Sequence, residues 1–274
     1  MKFLQCNLGE KLMKSVGLII GFALLFFCVM QAWKNQNKLV SFAQDCISEY
    51  ILVNKNKEEV SKPVKEEPKK PVVDPDKPMI ALTFDDGPSI YTDEILNILK
   101  ANDARATFFV LGLRAAGYTE EIAKMEALHC EIGNHTYNHL NMTTLAPEQI
   151  SMEIAMTNEA IRKTVGYDAK LVRPPYGEIN AVVMENISYP VALWSVDTTD
   201  WQLKDANAVA QHILSTVQDG DVVLLHDIYS TTLEAMRIII PELKARGYQL
   251  VTFSEMAEAH NVTLENRQKY FNFK

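Results

Sequence analysis

Hydrophobic and polar positions divide the chain into three regimes. Residues 15–33 form an uncharged run, SVGLIIGFALLFFCVMQAW, with no polar face. As a helix rising about 1.5 Å per residue, that run is long enough to cross a bilayer core. Lys2, Lys11 and Lys14 precede it, and Trp33 and Lys34 close it, as interface anchors do. Residues 35–53 are mixed and read as a short helix beside the membrane. Residues 54–78 are blocks of Lys and Glu interrupted by Pro63, Pro68, Pro71, Pro75 and Pro78. They carry too little apolar surface to offset ordering entropy, and the prolines make them an extended spacer.

From Met79 onward short apolar runs alternate with amphipathic stretches. The pattern predicts strands at 80–84, 106–111, 131–134, 171–173, 191–196, 222–225 and 249–253. Between them it predicts helices at 92–102, 119–128, 147–165, 181–186, 205–217 and 231–246. Thr92 and Thr119 are the expected N-caps, Gly166 and Gly247 the expected stops, and Pro241 should kink or divide the penultimate helix. Strand and helix in repeated alternation mark a parallel α/β sheet, either a closed barrel or a doubly wound open sheet. No short internal repeat appears.

Composition changes this picture little. With 47% apolar and 23% charged residues the chain is globular in the main. A net charge of −8 argues against nucleic acid as a partner, since a phosphate-binding surface needs clustered Lys and Arg. Cys6, Cys28, Cys46 and Cys130 form no CxxC pair, so a zinc ribbon or a dithiol site is not expected. A Cys46–Cys130 disulfide has no support, and free thiols are the expectation. The apolar run exceeds a usual signal-peptide core, Met30 fits a small-x-small cleavage site poorly, and Cys28 follows Phe27. We therefore expect a retained anchor; cleavage would leave a secreted protein.

The candidate chemistry falls at predicted strand ends. Asp85 and Asp86 leave the first strand into a Gly-Pro turn. Alone this is an ordinary solvated turn. Adjacent strand residues point to different sides, however, so one acid can hold a metal while the other stays free as a base. His135 and His139, four apart, would share one face of a helical turn and can converge on one ion. Arg173 ends a strand before Pro174 and Pro175, a fixed cation beside a pocket. Asp200 and Trp201 offer a carboxylate beside an aromatic plate on which sugars stack. His226 closes another strand and can act as a general acid. Each motif has a bland alternative, yet all five meet at the C-terminal mouth of one predicted parallel barrel, where such barrels carry their active sites. His129, His212 and His260 lie in or beside helices and are left as structural.

Residues from about 79 to 260 strongly resemble the polysaccharide deacetylases, the NodB-homology group of carbohydrate esterase family 4. TFDDGP, HTYNH, RPPYG, DTTDW and LLHD match that family's motifs in order. The resemblance implies an α/β fold, a distorted (β/α)7-type barrel; the N-terminal transmembrane helix and linker expected from hydropathy lie outside it. The expected layout is a cytoplasmic segment 1–14, an anchor 15–33, a juxtamembrane segment and linker 34–78, a catalytic domain 79–260 and a tail 261–274. The resemblance also implies a divalent metal, zinc first and cobalt as the alternative, on Asp86, His135 and His139. It makes Asp85 the general base and His226 the acid that protonates the departing amine. Arg173 would orient Asp85, and Asp200 would pair with His226. Tyr176 and Trp201 would wall the sugar, the Tyr176 N–H would hold the oxyanion, and Leu225 would touch the acetyl methyl. The implied reaction removes N-acetyl groups from N-acetylglucosamine in a cell-wall polysaccharide, peptidoglycan above all, by a membrane-held extracytoplasmic domain. Chitin oligosaccharides and acetylated xylan are the alternative substrates, and a non-catalytic carbohydrate-binding module the alternative class. The paired acids favour glucosamine over muramic acid.

Overall fold

The computed structural model describes residues 72–274. The expected anchor at 15–33, the segment 1–14 and most of the linker lie outside the described residues. Among the described residues no helix is long and apolar enough to cross a membrane.

The elements run β1 (Met79–Asp85), α1 (Thr92–Ala101), β2 (Thr107–Val110), α2 (Gly112–Ala115), α3 (Thr119–Ala127), β3 (Glu131–Asn134) and α4 (Pro147–Val165). They continue through α5 (Ala181–Asn186), β4 (Val191–Ala192), β5 (Val196–Asp197), α6 (Asp200–Leu203), α7 (Ala206–Thr216) and β6 (Val222–His226). The last are α8 (Ser230–Ala245), β7 (Gln249–Val251), α9 (Phe253–Ala259) and β8 (Lys269–Tyr270).

β1 is the hub. Every residue of MIALTFD is buried, as expected of a parallel strand covered on both faces. It pairs along 81–85 with β6, along 83–85 with β2, and along 79–81 with β7, all parallel. β3 extends the sheet beyond β2, and β5 extends it beyond β6. Two single bridges, Asn134 to Val172 and Val172 to Val191, carry the ladder from β3 to β4. β4 runs on into β5, so the parallel strands close into a ring.

The ring departs from the sequence expectation where it is thinnest. The strand expected at 171–173 shrinks to a bridge at Val172, because Pro174 and Pro175 follow and carry no N–H for a ladder. The strand expected at 191–196 is split. Arg173 takes the carbonyls of Ala192 and Leu193, with Nε and Nη2 each donating at 2.9 Å, where a neighbouring strand would otherwise bond. The segment 261–274, expected to be a tail, is part of the domain: β8 pairs with β4, and Phe273 is buried edge-on against Phe253 at 5.0 Å. The ordered domain also begins before Met79, since Gln249 exchanges hydrogen bonds with the backbone of Asp74 at 2.9 and 2.7 Å.

Helix boundaries follow local chemistry. Gly166 stops α4 at φ 87°, and Gly247, at φ 88°, follows the end of α8. α8 runs through Pro241 undivided. Thr92 is not a cap; its hydroxyl accepts from the Ser89 N–H and donates to Asp227. Thr119 likewise lies inside its helix, behind Tyr118. α9, which the sequence pattern did not predict and whose first residue Phe253 was expected to end a strand, is started by Thr252 and Glu255 in a reciprocal capping box. Cys130 is a buried free thiol, and burial pushes it up to about 12. Cys46 lies outside the described residues.

Candidate active site and metal centre

Asp85 is the last residue of β1 and is buried. Asp86 was expected to point to the opposite side. Instead its φ of 70° turns the chain back, and both carboxylates approach the same imidazole: His135 Nε2 is 3.4 Å from Asp86 Oδ1 and 3.7 Å from Asp85 Oδ2. Gly87 permits the turn, since a Cβ there would overlap the Asp227 carboxylate. Burial pushes the Asp227 carboxyl up to about 7.

Arg173 is 0% exposed and fixes two parts of the site. Its Nη1 donates to Asp85 Oδ1 and to Thr83 Oγ1, each at 2.8 Å. Its guanidinium lies over the Phe109 ring, 4.0 Å from the centroid. Its carbonyl receives His135 Nδ1 at 2.7 Å. A carbonyl can only accept, so Nδ1 carries the proton and a neutral His135 presents a bare Nε2 lone pair. Arg173→Met would leave Asp85 buried without its cation and the Ala192 and Leu193 carbonyls without their donor. The expected loss is about 3–5 kcal/mol of folding stability, read by chemical denaturation. A loss below about 1 kcal/mol, the scale of exposed pairs, would contradict this role.

His135 and His139 do not share a helical turn. They flank an irregular loop in which Thr136 and His139 take φ of 67° and 58°. His139 Nε2 lies 3.1 Å from Asp86 Oδ1. Among the described residues Asp86, His135 and His139 form the group whose ligand atoms all lie within 4.8 Å of one another. Burial works against charge on Asp86, but the two imidazoles outweigh it and hold the carboxyl at about 2. Left-handed residues recur around this mouth: Asp86, Thr136, His139, Tyr176 and Thr199. Such conformations concentrate where function holds them.

His226 ends β6 directly opposite Asp85 in register. Asp200 binds it twice, with Oδ2 accepting from the His226 backbone N–H at 2.8 Å and Oδ1 lying 2.7 Å from Nδ1. Thr232 Oγ1 and the Trp201 N–H complete the carboxylate's shell, at 2.7 and 2.9 Å. Burial alone would pull the His226 imidazole down; the Asp200 carboxylate reverses that and raises it to about 9. Trp201 is 48% exposed and Tyr176 is 64% exposed, its ring edge-on to His139 at 4.7 Å.

Leu225 is misplaced by the sequence reading. It is 0% exposed and packs in the core cluster with Phe84, Leu82 and the α8 residues Ile239 and Ile240. Side chains alternate along a strand, so Leu224, two before His226, shares its face. Sequence reasoning also missed supporting groups. Asn134 Oδ1 accepts from the Thr136 N–H, and Glu153 accepts from the Tyr137 and Asn138 N–H groups. The Asn immediately before His135 was the available signal for the first; nothing in the helical pattern marked the second.

The three residues fit a divalent cation. Asp86 Oδ1 is buried with no hydrogen-bond partner, yet two imidazole nitrogens face it at 3.1 and 3.4 Å. Ligands about 2.0–2.2 Å from a tetrahedral zinc stand about 3.3–3.6 Å apart; the 3.4 Å separation falls in that range and the 3.1 Å one lies just below it.

A parallel α/β ring with a cation-sized donor cluster, a free acid and an acid-backed histidine at one mouth defines an enzyme of the hydrolase class. A family model described as polysaccharide deacetylase matches residues 72–190. The chain is 42% identical over 225 residues to the peptidoglycan-N-acetylmuramic acid deacetylase PdaC of Bacillus subtilis, an alignment covering 80% of this chain and 48% of that protein. It is 37% identical over 187 residues to a peptidoglycan-N-acetylglucosamine deacetylase of Bacillus cereus, covering 65% of this chain and 87% of the relative. A family 4 acetyl xylan esterase from Clostridium thermocellum, solved with a cobalt ion, superposes with a TM-score of 0.68 at 34% identity, over 71% of this chain and 98% of that one. The chain belongs to the polysaccharide deacetylase family. It spans about half the length of the Bacillus subtilis relative.

Proposed function

We propose that this protein is a metal-dependent hydrolase that removes N-acetyl groups from N-acetylglucosamine residues of peptidoglycan and releases acetate. One observation carries the reading: Asp86 Oδ1 meets the Nε2 atoms of His135 and His139 at 3.4 and 3.1 Å while a second acid, Asp85, stands beside them held by Arg173. A divalent cation there, zinc from the donor set and cobalt as a substitute, supplies Lewis-acid polarisation of the acetyl carbonyl and a more acidic water.

The chain's own residues do the rest. Arg173 aims Asp85, whose free oxygen takes a proton as water adds to the acetyl carbon. The Tyr176 N–H is assigned to the oxygen that gains charge. His226, doubly protonated against Asp200, gives a proton to the amide nitrogen as the C–N bond breaks, leaving acetate and a free amine. Tyr176 and Trp201 stand as exposed rings at the mouth, where a sugar face can stack.

The activities for which the Bacillus relatives are named support a peptidoglycan substrate. The intact Asp85-Asp86 pair favours glucosamine; the relative at 42% identity, which acts on N-acetylmuramic acid, favours a second reading, removal of the acetyl group from muramic acid. The catalytic domain is held to the outer face of the cell membrane by residues 15–33, which puts the wall within reach of the site. Detergent partitioning of the full chain tests this, and a protein soluble without detergent would overturn it.

Mass spectrometry of muropeptides after treatment with the purified protein tests the substrate. The expected product lacks one acetyl group on glucosamine, and a chelator blocks its formation until zinc is restored. Loss on muramic acid alone would select the second reading. Acetate from xylan or chitin oligomers but none from wall, or wall binding with no acetate at all, would overturn the proposal.

A further inference from the structure

α4 carries a buried carboxylate that packing does not require. Glu153 is 7% exposed, on the helix face that also buries Ile154, Thr157, Asn158 and Ile161. A carboxylate is costly there unless its lone pairs are filled. Its donors all come from the loop between His135 and His139. Oε2 accepts from the backbone N–H groups of Tyr137 at 2.8 Å and Asn138 at 2.7 Å. Oε1 accepts from Asn138 Nδ2 at 2.7 Å. On the same helix the Ile154 carbonyl, from the next residue, and Asn158 Oδ1, five residues on, each accept from Asn134 Nδ2 at 2.9 Å, just before His135. Both ends of the loop are thus tied to one face of one helix.

The loop needs such a tie. Thr136 and His139 hold left-handed φ values, which non-glycine residues keep only when their surroundings impose them. The Gly112 and Leu113 N–H groups at the start of α2 hold the carbonyl side of the loop, donating to Thr136 and Tyr137 at 3.1 Å each, and Glu153 holds its N–H side at Tyr137 and Asn138. We propose that Glu153 is a positioning residue that holds His139 opposite His135 and thereby sets the affinity of the cation site. Glu153 does not touch the site itself; it acts through the backbone of Tyr137 and Asn138. The inference rests on the reading of Asp86, His135 and His139 as cation ligands.

The test is zinc affinity of the full chain, stripped with a chelator and titrated in competition with a chromophoric indicator. Groups that orient metal ligands typically contribute about 10–100-fold in affinity, and E153A should weaken zinc by that factor. E153Q should fall between E153A and wild type. Its amide oxygen can still accept both backbone N–H groups, while a flipped Asn138 amide pairs with its NH2. Partial rescue by Gln is the readout that a purely structural role would not move. Far-UV melts of the zinc-free forms show whether each variant is folded. If E153A gives no cooperative melt, E153Q alone decides: weaker zinc than wild type supports the proposal, and equal affinity overturns it. Folded E153A with wild-type affinity, or E153Q no better than E153A, would overturn it as well. Wild-type protein that takes up no zinc would sink the cation reading and this inference together; wild-type uptake matched by E153A would sink this inference alone.

Discussion

Asp86→Ala is expected to lose zinc and turnover together. Asp86 is the sole anionic member of the cluster, and its Oδ1 faces both imidazoles with no other partner. Without it two neutral imidazoles remain, and a divalent ion has neither its third ligand nor a compensating charge. The activity lost should be about 10³-fold or more, the several kcal/mol that a Lewis acid supplies. Asp86→Asn separates charge from backbone. Asn tolerates the left-handed φ of 70° at this position, so the turn survives while the carboxylate does not. Metal analysis of both purified variants, beside acetate release, checks the expectation. An active variant free of metal would refute the ligand set.

His226→Ala should behave differently: turnover falls by about 10²–10⁴-fold, the usual contribution of a positioned acid, with zinc content unchanged. The separation follows from placement. His226 ends β6 and is bound by Asp200, whereas the cation cluster comes from the turn after β1 and the loop after β3. The pH profile carries the same information. An acid catalyst works while protonated, and His226 is raised to about 9, so wild-type turnover should hold through neutral pH and decline as pH climbs past that value. A cation held at Asp86 repels a protonated imidazole and moves the decline lower. In the variant this alkaline decline should vanish from the residual activity. Loss of zinc on changing His226 would contradict its assignment.

Much of the site was legible because its residue types are rare at strand ends. Acids, imidazoles and an arginine that terminate apolar runs have little packing reason to sit there, and a parallel ring brings those ends to one mouth. What was not legible depended on geometry between distant segments. The left-handed turn at Asp86 reversed the expected divergence of the two acids. Leu225 and Leu224 are equivalent in composition, and only strand phase decides that Leu224 shares a face with His226. Glu153 looks like any helical glutamate until the loop it holds is folded against it. Likewise β8 and Phe273 join the core through pairing with β4, some 80 residues earlier in sequence, which no local pattern announces. The Thr252–Glu255 capping box was a local signal in plain view, masked by the apolar run before it.

Anomalous diffraction at the zinc edge, from crystals of protein loaded with zinc, examines the shared cation most directly. The expected map holds one strong peak within about 2.0–2.2 Å of His135 Nε2, His139 Nε2 and an Asp86 oxygen, with Asp85 outside that shell. A peak elsewhere, or one lacking Asp86, would contradict the account.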